Sequence, residues 1–470
     1  MFICTGSTKG IEIRRVEYDN GNLKLGSPNQ IIPNCRNFKF SSNFNLVAFF
    51  TKSGIQSTEF PDKFVQICLF DAQNGTTTQI QQVNFPNILN VMFSPKGSFF
   101  AVILRRNSVT EEQKVPLVQI YQTRGGLVRS FNYAVSKVPE LFWSDDETVF
   151  AYSHSNGIQF YKTKPDGTVE ESQVELPNLL ACSFTCADNS IRFAVVYNDK
   201  AGEAKKMKIY DYGDLSKPRA YRPVMVGESF TIKISPSGRS AIAVGNKNQS
   251  DETYFGESFA YYLNVQGQQK LPLKKNGPIH YIEYSRTGDR FVTIAGHVPP
   301  SVAVHYEKLG TSFEIGQFSL NSARFSCSSN LVAFGGFGNF AGQIKIFDTQ
   351  ARTTVSNGEA LYTSEWGWSP CGRLLLTAVL YPKMTVSNEF RIHDHGCHVL
   401  ATVKAEELSQ CEWVGVENPL PLPKINITVV SKPANSAYVP PHLRAKMAQQ
   451  QAAPPPSQSK GPKFPPGYKK

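Results

Sequence analysis

Hydrophobic and polar positions along this chain repeat one arrangement at least eight times: an aromatic or aliphatic residue, a small polar turn, then a run of mostly apolar residues. The copies begin at Phe40, Phe93, Trp143, Phe184, Ile234, Tyr284, Phe325 and Trp368, at intervals of 53, 50, 41, 50, 50, 41 and 43 residues. A strand-turn-strand unit at that period suits a four-stranded propeller blade and is far too long for a hexapeptide or leucine-rich solenoid. In Ser94-Pro95-Lys96-Gly97 and Ser235-Pro236-Ser237-Gly238, the fixed φ of proline suits the turn and glycine admits a positive φ, so the chain reverses between two buried strands. A second apolar stretch follows each unit, as at residues 65–71, 208–211 and 342–348, and reads as the outer strand of the same blade.

The two ends complement one another. Residues 397–414 hold two strand candidates with nothing like the next two after them. The opening residues supply the missing pair, with residues 1–5 as an inner strand and 10–16 as an outer one. Such closure pairs the exposed edges of the first and last blades. The expected fold is therefore all-β: a nine-bladed WD-repeat-like β-propeller over residues 1–423, closed by N- and C-terminal strands and followed by a disordered tail over 424–470.

Hairpin ends alternate between the two faces of such a ring. The turns from second to third strand read as tight, and those from third to fourth as long, at residues 50–63, 105–115, 198–206, 246–258 and 381–389. Loops on a rigid scaffold are where binding sits, which makes Arg105, Arg106, Lys205, Lys206, Lys247 and Lys383 candidate contacts. These five loops hold ten basic and ten acidic residues. That balance argues against a simple phosphate-binding face and for protein partners or a mixed surface.

Composition changes the picture mainly at the end of the chain. Lys424, Lys432, Arg444, Lys446, Lys460, Lys463, Lys469 and Lys470 face no Asp or Glu, so the tail carries +8 of the total +11. The ring keeps 41 basic against 38 acidic residues. With its prolines and a Gln/Ala run, the tail cannot bury enough apolar surface to fold alone. Its cations are candidate RNA contacts, because a cation placed at a phosphate releases counterions. Tyr438-Val439-Pro440-Pro441 is a candidate peptide-docking motif, one aromatic beside a rigid Pro-Pro. Nine scattered cysteines argue for reduced thiols in a cytosolic or nuclear setting. No stretch approaches the ~18 apolar residues of a membrane span, and the N-terminus lacks a signal-peptide core.

Catalytic and ligand motifs fail on context. Gly336-Phe337-Gly338-Asn339-Phe340-Ala341 matches a dinucleotide loop, but a strand follows it where a helix N-terminus should hold the pyrophosphate. His393, His395, Cys397 and His398 offer zinc donors at the exit of an outer strand, where polar residues are expected, with no second pair at characteristic spacing. There is no Gly-x-Ser-x-Gly elbow and no room for a hydrolase domain. A non-enzymatic binding platform without cofactor or metal, acting as a monomer, is the default.

Three stretches point further. They are residues 334–344 (FGGFGNFAGQI), Trp368-Ser369-Pro370-Cys371-Gly372-Arg373, and residues 388–392 (NEFRI). Together they closely resemble the seventh and eighth blades of the eukaryotic translation initiation factor 2A family. The opening Gly-Ile-Glu-Ile strand and Tyr438 to Pro441 are also similar to that family. Gly336, Phe337, Gly338, Asn339, Gly342, Trp368, Ser369, Pro370 and Gly372 carry the motif and read as structural. The resemblance implies a cytoplasmic factor that binds the small ribosomal subunit and helps deliver initiator methionyl-tRNA or select start sites, with mRNA and other initiation factors as further partners. Longer family members continue into lysine- and glutamate-rich helical segments, where this sequence holds a proline-rich stretch. The scaffold protein of initiation factor 3 known as its b component shares the Gly-Phe-Gly-Asn and Trp-Ser-Pro features. It carries an RNA-recognition domain before its propeller, whereas here the ring is expected to begin at Met1. A general WD-repeat adaptor that never meets RNA is the alternative from another class.

Overall fold

A computed structural model describes residues 1–420, apart from 20, 53–63, 86, 106–115, 134–137, 165–167, 201, 248–256, 268–270, 272, 274–276, 308–311 and 386. The chain divides into two units, Met1–Ile425 and Asn426–Lys470. The tail cations and Tyr438 to Pro441 lie outside the described residues, as does Arg106.

The first unit is a ring of nine antiparallel sheets. Blades one to four and six to eight each use four consecutive strands, beginning at Asn37–Phe40 and ending with Val399–Lys404. The fifth has three among the described residues: Ser229–Ile234, Ser240–Lys247 and Glu257–Asn264.

Closure follows a different split from the expected one. Only Gln410–Val414 comes from the C-terminal side, and it is the innermost strand of the ninth blade. Phe2–Ser7, Gly10–Asp19 and Asn22–Ile32 supply the other three. Val399–Lys404, expected in the closing blade, is the outermost strand of the eighth. Residues 1–5 are thus a second strand, and Asn22–Ile32 escaped notice because its burial alternates between exposed and half-buried, leaving no apolar run.

The repeated unit is also placed one strand further in than expected. Its turn joins the first strand to the second, so the long loops join second to third, and the following apolar stretch is the third strand. Residues 65–71, read as an outer strand, fall in Phe64–Asp71, and the outermost strand is the polar Thr76–Asn84. Second strands read as unbroken apolar runs because both their faces are buried. In Ser190–Tyr197, Phe193 and Val195 pack toward the third blade, while Ala194 and Val196 pack toward the fifth. Among the described residues nine separate apolar clusters result, one at each junction between neighbouring blades.

Seven of the eight repeated turns share one geometry. Phe44, Gly97, Glu147, Gly238, Gly288, Ser329 and Gly372 occupy the same left-handed position, with φ between 56° and 84°. The N–H of each donates to the carbonyl of a serine three residues earlier at 2.8–3.0 Å. Those serines are buried, and in six turns the hydroxyl accepts the N–H at the start of the next strand, as from Leu374 to Ser369 at 3.1 Å. Glycine relieves the left-handed strain at four positions, and the other three carry it. The fourth blade lacks the serine and turns instead on Asp188 and Asn189, both at positive φ, as a two-residue hairpin requires.

Candidate binding face

Strand alternation places every second-to-third connection, and every link from one blade to the next, on one face of the ring. The described strand ends that flank all five long loops lie there. Arg105 is exposed beside the half-buried Tyr133, whose hydroxyl donates to the Leu104 carbonyl at 2.9 Å. Lys205 and Lys206 belong to the strand Lys205–Asp211 rather than to the loop before it. Lys206 is ion-paired with Asp199, whose hydrogen bond holds its ammonium above the ordinary lysine range, and Lys205 lies 5.9 Å from the Phe230 ring centre. Lys247 ends the fifth blade's second strand, exposed, and Lys383 is exposed in the eighth blade's loop.

The structure adds cations to this face that loop length did not reveal. Lys9 is exposed in the short turn between Ser7 and Gly10, Lys52 is exposed just after the strand Leu46–Phe50, and Lys404 ends the strand Val399–Lys404. With Lys383 they occupy three successive blades: the eighth, ninth and first. The signal for Lys9 was present in the sequence but depended on assigning the closing hairpin as a second and third strand.

The seam beneath them is tightly bonded. The Arg36 guanidinium, 1 % exposed, donates to the Glu407 carbonyl at 3.0 Å and to its carboxylate at 2.8 Å, and stands 5.9 Å from the Tyr381 ring centre. The Gln410 side chain accepts the Phe38 N–H at 3.1 Å and donates to the Phe38 carbonyl at 3.0 Å, joining the ninth blade to the first. Nearby on the innermost strands, Glu365 is pushed up to about 7 by burial and then by the Glu412 carboxylate, against the pull of Lys52 and Arg324.

The motif residues divide between buried or half-buried positions and an exposed tip. Phe337 is buried, its ring edge-on to Trp366 at 5.4 Å. Its N–H donates to the Asn321 side chain at 3.0 Å and its carbonyl accepts from the same amide at 2.8 Å. A Cβ on Gly336 would stand 2.1 Å from the Ser319 carbonyl oxygen, and one on Gly342 2.5 Å from that of Ala360. Gly338 and Asn339 form the exposed tip. Trp368, Ser369, Pro370 and Gly372 lie on the opposite face, in the eighth blade's first-to-second turn. There the Trp368 indole donates to the Arg324 carbonyl at 2.9 Å.

His393 is buried, and its Nε2 bonds the Thr377 hydroxyl at 2.9 Å, as His305 bonds Thr293 at 2.9 Å in the sixth blade. Burial lowers the basicity of both imidazoles, that of His305 to about 4. Among the described residues no group of three or more potential metal ligands converges. None of the nine cysteines is in a disulfide. No described helix is long and apolar enough to cross a membrane.

Comparison with known proteins bears on the whole ring. The sequence profile for eukaryotic translation initiation factor eIF2A matches residues 222–411. Eukaryotic translation initiation factor 2A of Dictyostelium discoideum is 24 % identical over 92 % of this chain and 70 % of its own length. The Schizosaccharomyces pombe protein of that name is 26 % identical over 92 % and 72 %. A component of eukaryotic translation initiation factor 3 from Bombyx mori, the one lettered B, is 20 % identical over 72 % of this chain and 50 % of its own. A crystal structure of a eukaryotic initiation factor superposes with a TM-score of 0.72 at 22 % identity, covering 90 % of this chain and 99 % of that one, and shares the fold. Relatives align along nearly the full ring and the Gly-Phe-Gly-Asn block lies inside the matched profile, so this chain is similar to the eukaryotic translation initiation factor 2A family over most of its length.

Proposed function

We propose that the chain acts in translation initiation as a non-catalytic platform, docking on the small ribosomal subunit in the cytoplasm and assisting initiator methionyl-tRNA delivery or start-site selection. The observation that carries this reading is the alignment of factor 2A relatives along 92 % of the chain. The exposed cations Lys9, Lys52, Lys383 and Lys404 on three successive blades are the proposed docking contacts to ribosomal phosphates. The tail cations from Lys424 to Lys470 would add a diffuse, salt-sensitive arm, and Tyr438 to Pro441 a contact to another initiation factor. Likeness to a component of initiation factor 3 favours a second reading, a scaffold within a larger factor assembly.

The test is co-sedimentation of the whole chain, and of residues 1–425, with purified small subunits at low and physiological salt. Binding by both, weakened in a Lys9→Glu/Lys52→Glu/Lys383→Glu variant, supports docking by this face. Binding by the whole chain alone, lost at physiological salt, assigns the interaction to a nonspecific cationic tail. Absence of binding by either makes a general adaptor the better account.

A further inference from the structure

The same face holds a second sector of opposite character. On the sixth and seventh blades its connections are short: residues 296–300 (GHVPP), 318–321 (FSLN), 337–342 (FGNFAG) and 360–364 (ALYTS). They contain no Asp, Glu, Lys or Arg. Val298 is 60 % exposed, Leu361 44 % and Tyr362 65 %. His297, Pro299, Gly338 and Asn339 are exposed between them.

These connections form one bonded platform. The Phe318 N–H donates to the Pro300 carbonyl at 3.1 Å, and Asn321 grips Phe337 through both bonds of its side chain. Gly342 donates to the Gly336 carbonyl at 2.8 Å, and Ala360 to the Gly342 carbonyl at 2.7 Å. Tyr362 is held at φ 61°, a conformation that costs a bulky L residue energy, in a turn tied by the Thr363 hydroxyl to the Ala360 carbonyl at 2.9 Å. The turn that presents Tyr362 is held by these bonds, so little loop entropy remains to be lost on binding.

We propose that this platform binds an extended, proline-bearing peptide segment of a protein partner. The missing charges disfavour a polyanion, which needs cations along its path. Exposed apolar surface beside hydrogen-bond donors suits a polyproline II ligand, whose prolines offer carbonyls and ring faces but no N–H. Tyr362 and Leu361 would pack the rings, and the Tyr362 hydroxyl, the Asn339 amide and His297 would donate to carbonyls. The sector contains none of the cations assigned to the ribosome, so the two contacts use different residues, although Ser364 accepts the Leu380 N–H at 2.7 Å and so adjoins the Lys383 loop.

The test is fluorescence anisotropy of labelled decaproline, with a Gly-Ser decamer and decauridylate as comparison probes, against the full chain. Tyr362→Gly removes the ring while accommodating the positive φ, so the turn is retained. Saturable decaproline binding weakened at least tenfold by Tyr362→Gly and by Asn339→Ala, and unchanged by Lys52→Glu, is the expected result. Decaproline binding that is absent or no tighter than the Gly-Ser probe, or that is indifferent to Tyr362→Gly, overturns the proposal. Decauridylate binding lost in Tyr362→Gly would reassign the platform to base stacking and equally overturn it. Small-subunit co-sedimentation of Tyr362→Gly should match the parent chain, which separates failure here from failure of the docking reading.

Discussion

Ser369→Ala tests whether a buried hydroxyl, rather than the proline or glycine beside it, holds the repeated turn. The Ser369 side chain is 1 % exposed and accepts the N–H of Leu374, itself fully buried at the start of the eighth blade's second strand. The turn's own bond, from Gly372 N–H to the Ser369 carbonyl at 2.9 Å, and the Ser369 N–H to the Leu374 carbonyl at 2.8 Å are backbone bonds and survive the change. What is lost is the acceptor for Leu374, leaving a donor that water cannot reach, together with a weaker bond between the hydroxyl and the Cys371 thiol at 3.1 Å. Such a donor costs about 1–3 kcal/mol. At about 2 kcal/mol the opening equilibrium rises roughly 30-fold. Hydrogen exchange of the Leu374 amide should therefore accelerate by about that factor where exchange follows local or sub-global opening. Ser42→Ala, at an exposed position in the first blade's turn, is the control and should move stability by less than ~0.5 kcal/mol. Exchange at Leu374 unchanged in Ser369→Ala, with unfolding in urea also unchanged, would refute the assignment and return the turn's stability to its backbone geometry.

Glu365→Gln should alter stability in alkali rather than acid. Its carboxyl is pushed up to about 7, so the native state holds a proton that the unfolded chain releases near its ordinary 4.5. That term lowers stability as pH rises through this window, by about 3 kcal/mol at completion. Denaturation of the variant at pH 8 should thus show a gain over the parent that disappears at pH 5. His305, lowered to about 4, works in the opposite sense: stability is full above the unfolded imidazole range and falls as pH drops from about 6.5 toward 4. A Thr293→Val/His305→Leu variant should lose much of that acid limb in a melting-temperature profile. Gly336→Ala should destabilise by more than ~2 kcal/mol because its Cβ would meet the Ser319 carbonyl at 2.1 Å; a melting temperature equal to the parent's would show that the connection can shift freely.

The ring was legible because second strands are buried on both sides and announce themselves as apolar runs after a turn with fixed chemistry. Outermost strands were not, since Thr76–Asn84 and Asn22–Ile32 pack on one side only and interleave exposed residues. That gap shifted the strand numbering by one and moved the closing split. The shift left the long loops on one common face, because they all fall between the same two strands of their blades. Loop length misled at Lys205 and Lys206, which the strand already engages, and passed over Lys9, whose turn is among the shortest. Tyr362 had no sequence signal: nothing in Ala360-Leu361-Tyr362-Thr363 foretells a left-handed tyrosine facing solvent.

Placing a single C-terminal strand at the heart of the ninth blade has a consequence for the order of synthesis. Phe2–Ser7 emerges early, paired outward with Gly10–Asp19, while its inward edge has no partner. That partner, Gln410–Val414, is made only after the other eight blades, and the Ser409 hydroxyl reaches back 403 residues to the Gly6 carbonyl. Throughout elongation the chain therefore carries an open strand edge, which neighbouring nascent chains on the same message can pair with. The latch is also the element that tension on the C-terminal side would peel away first. Release of five residues would reopen a ring whose other blades remain fully paired.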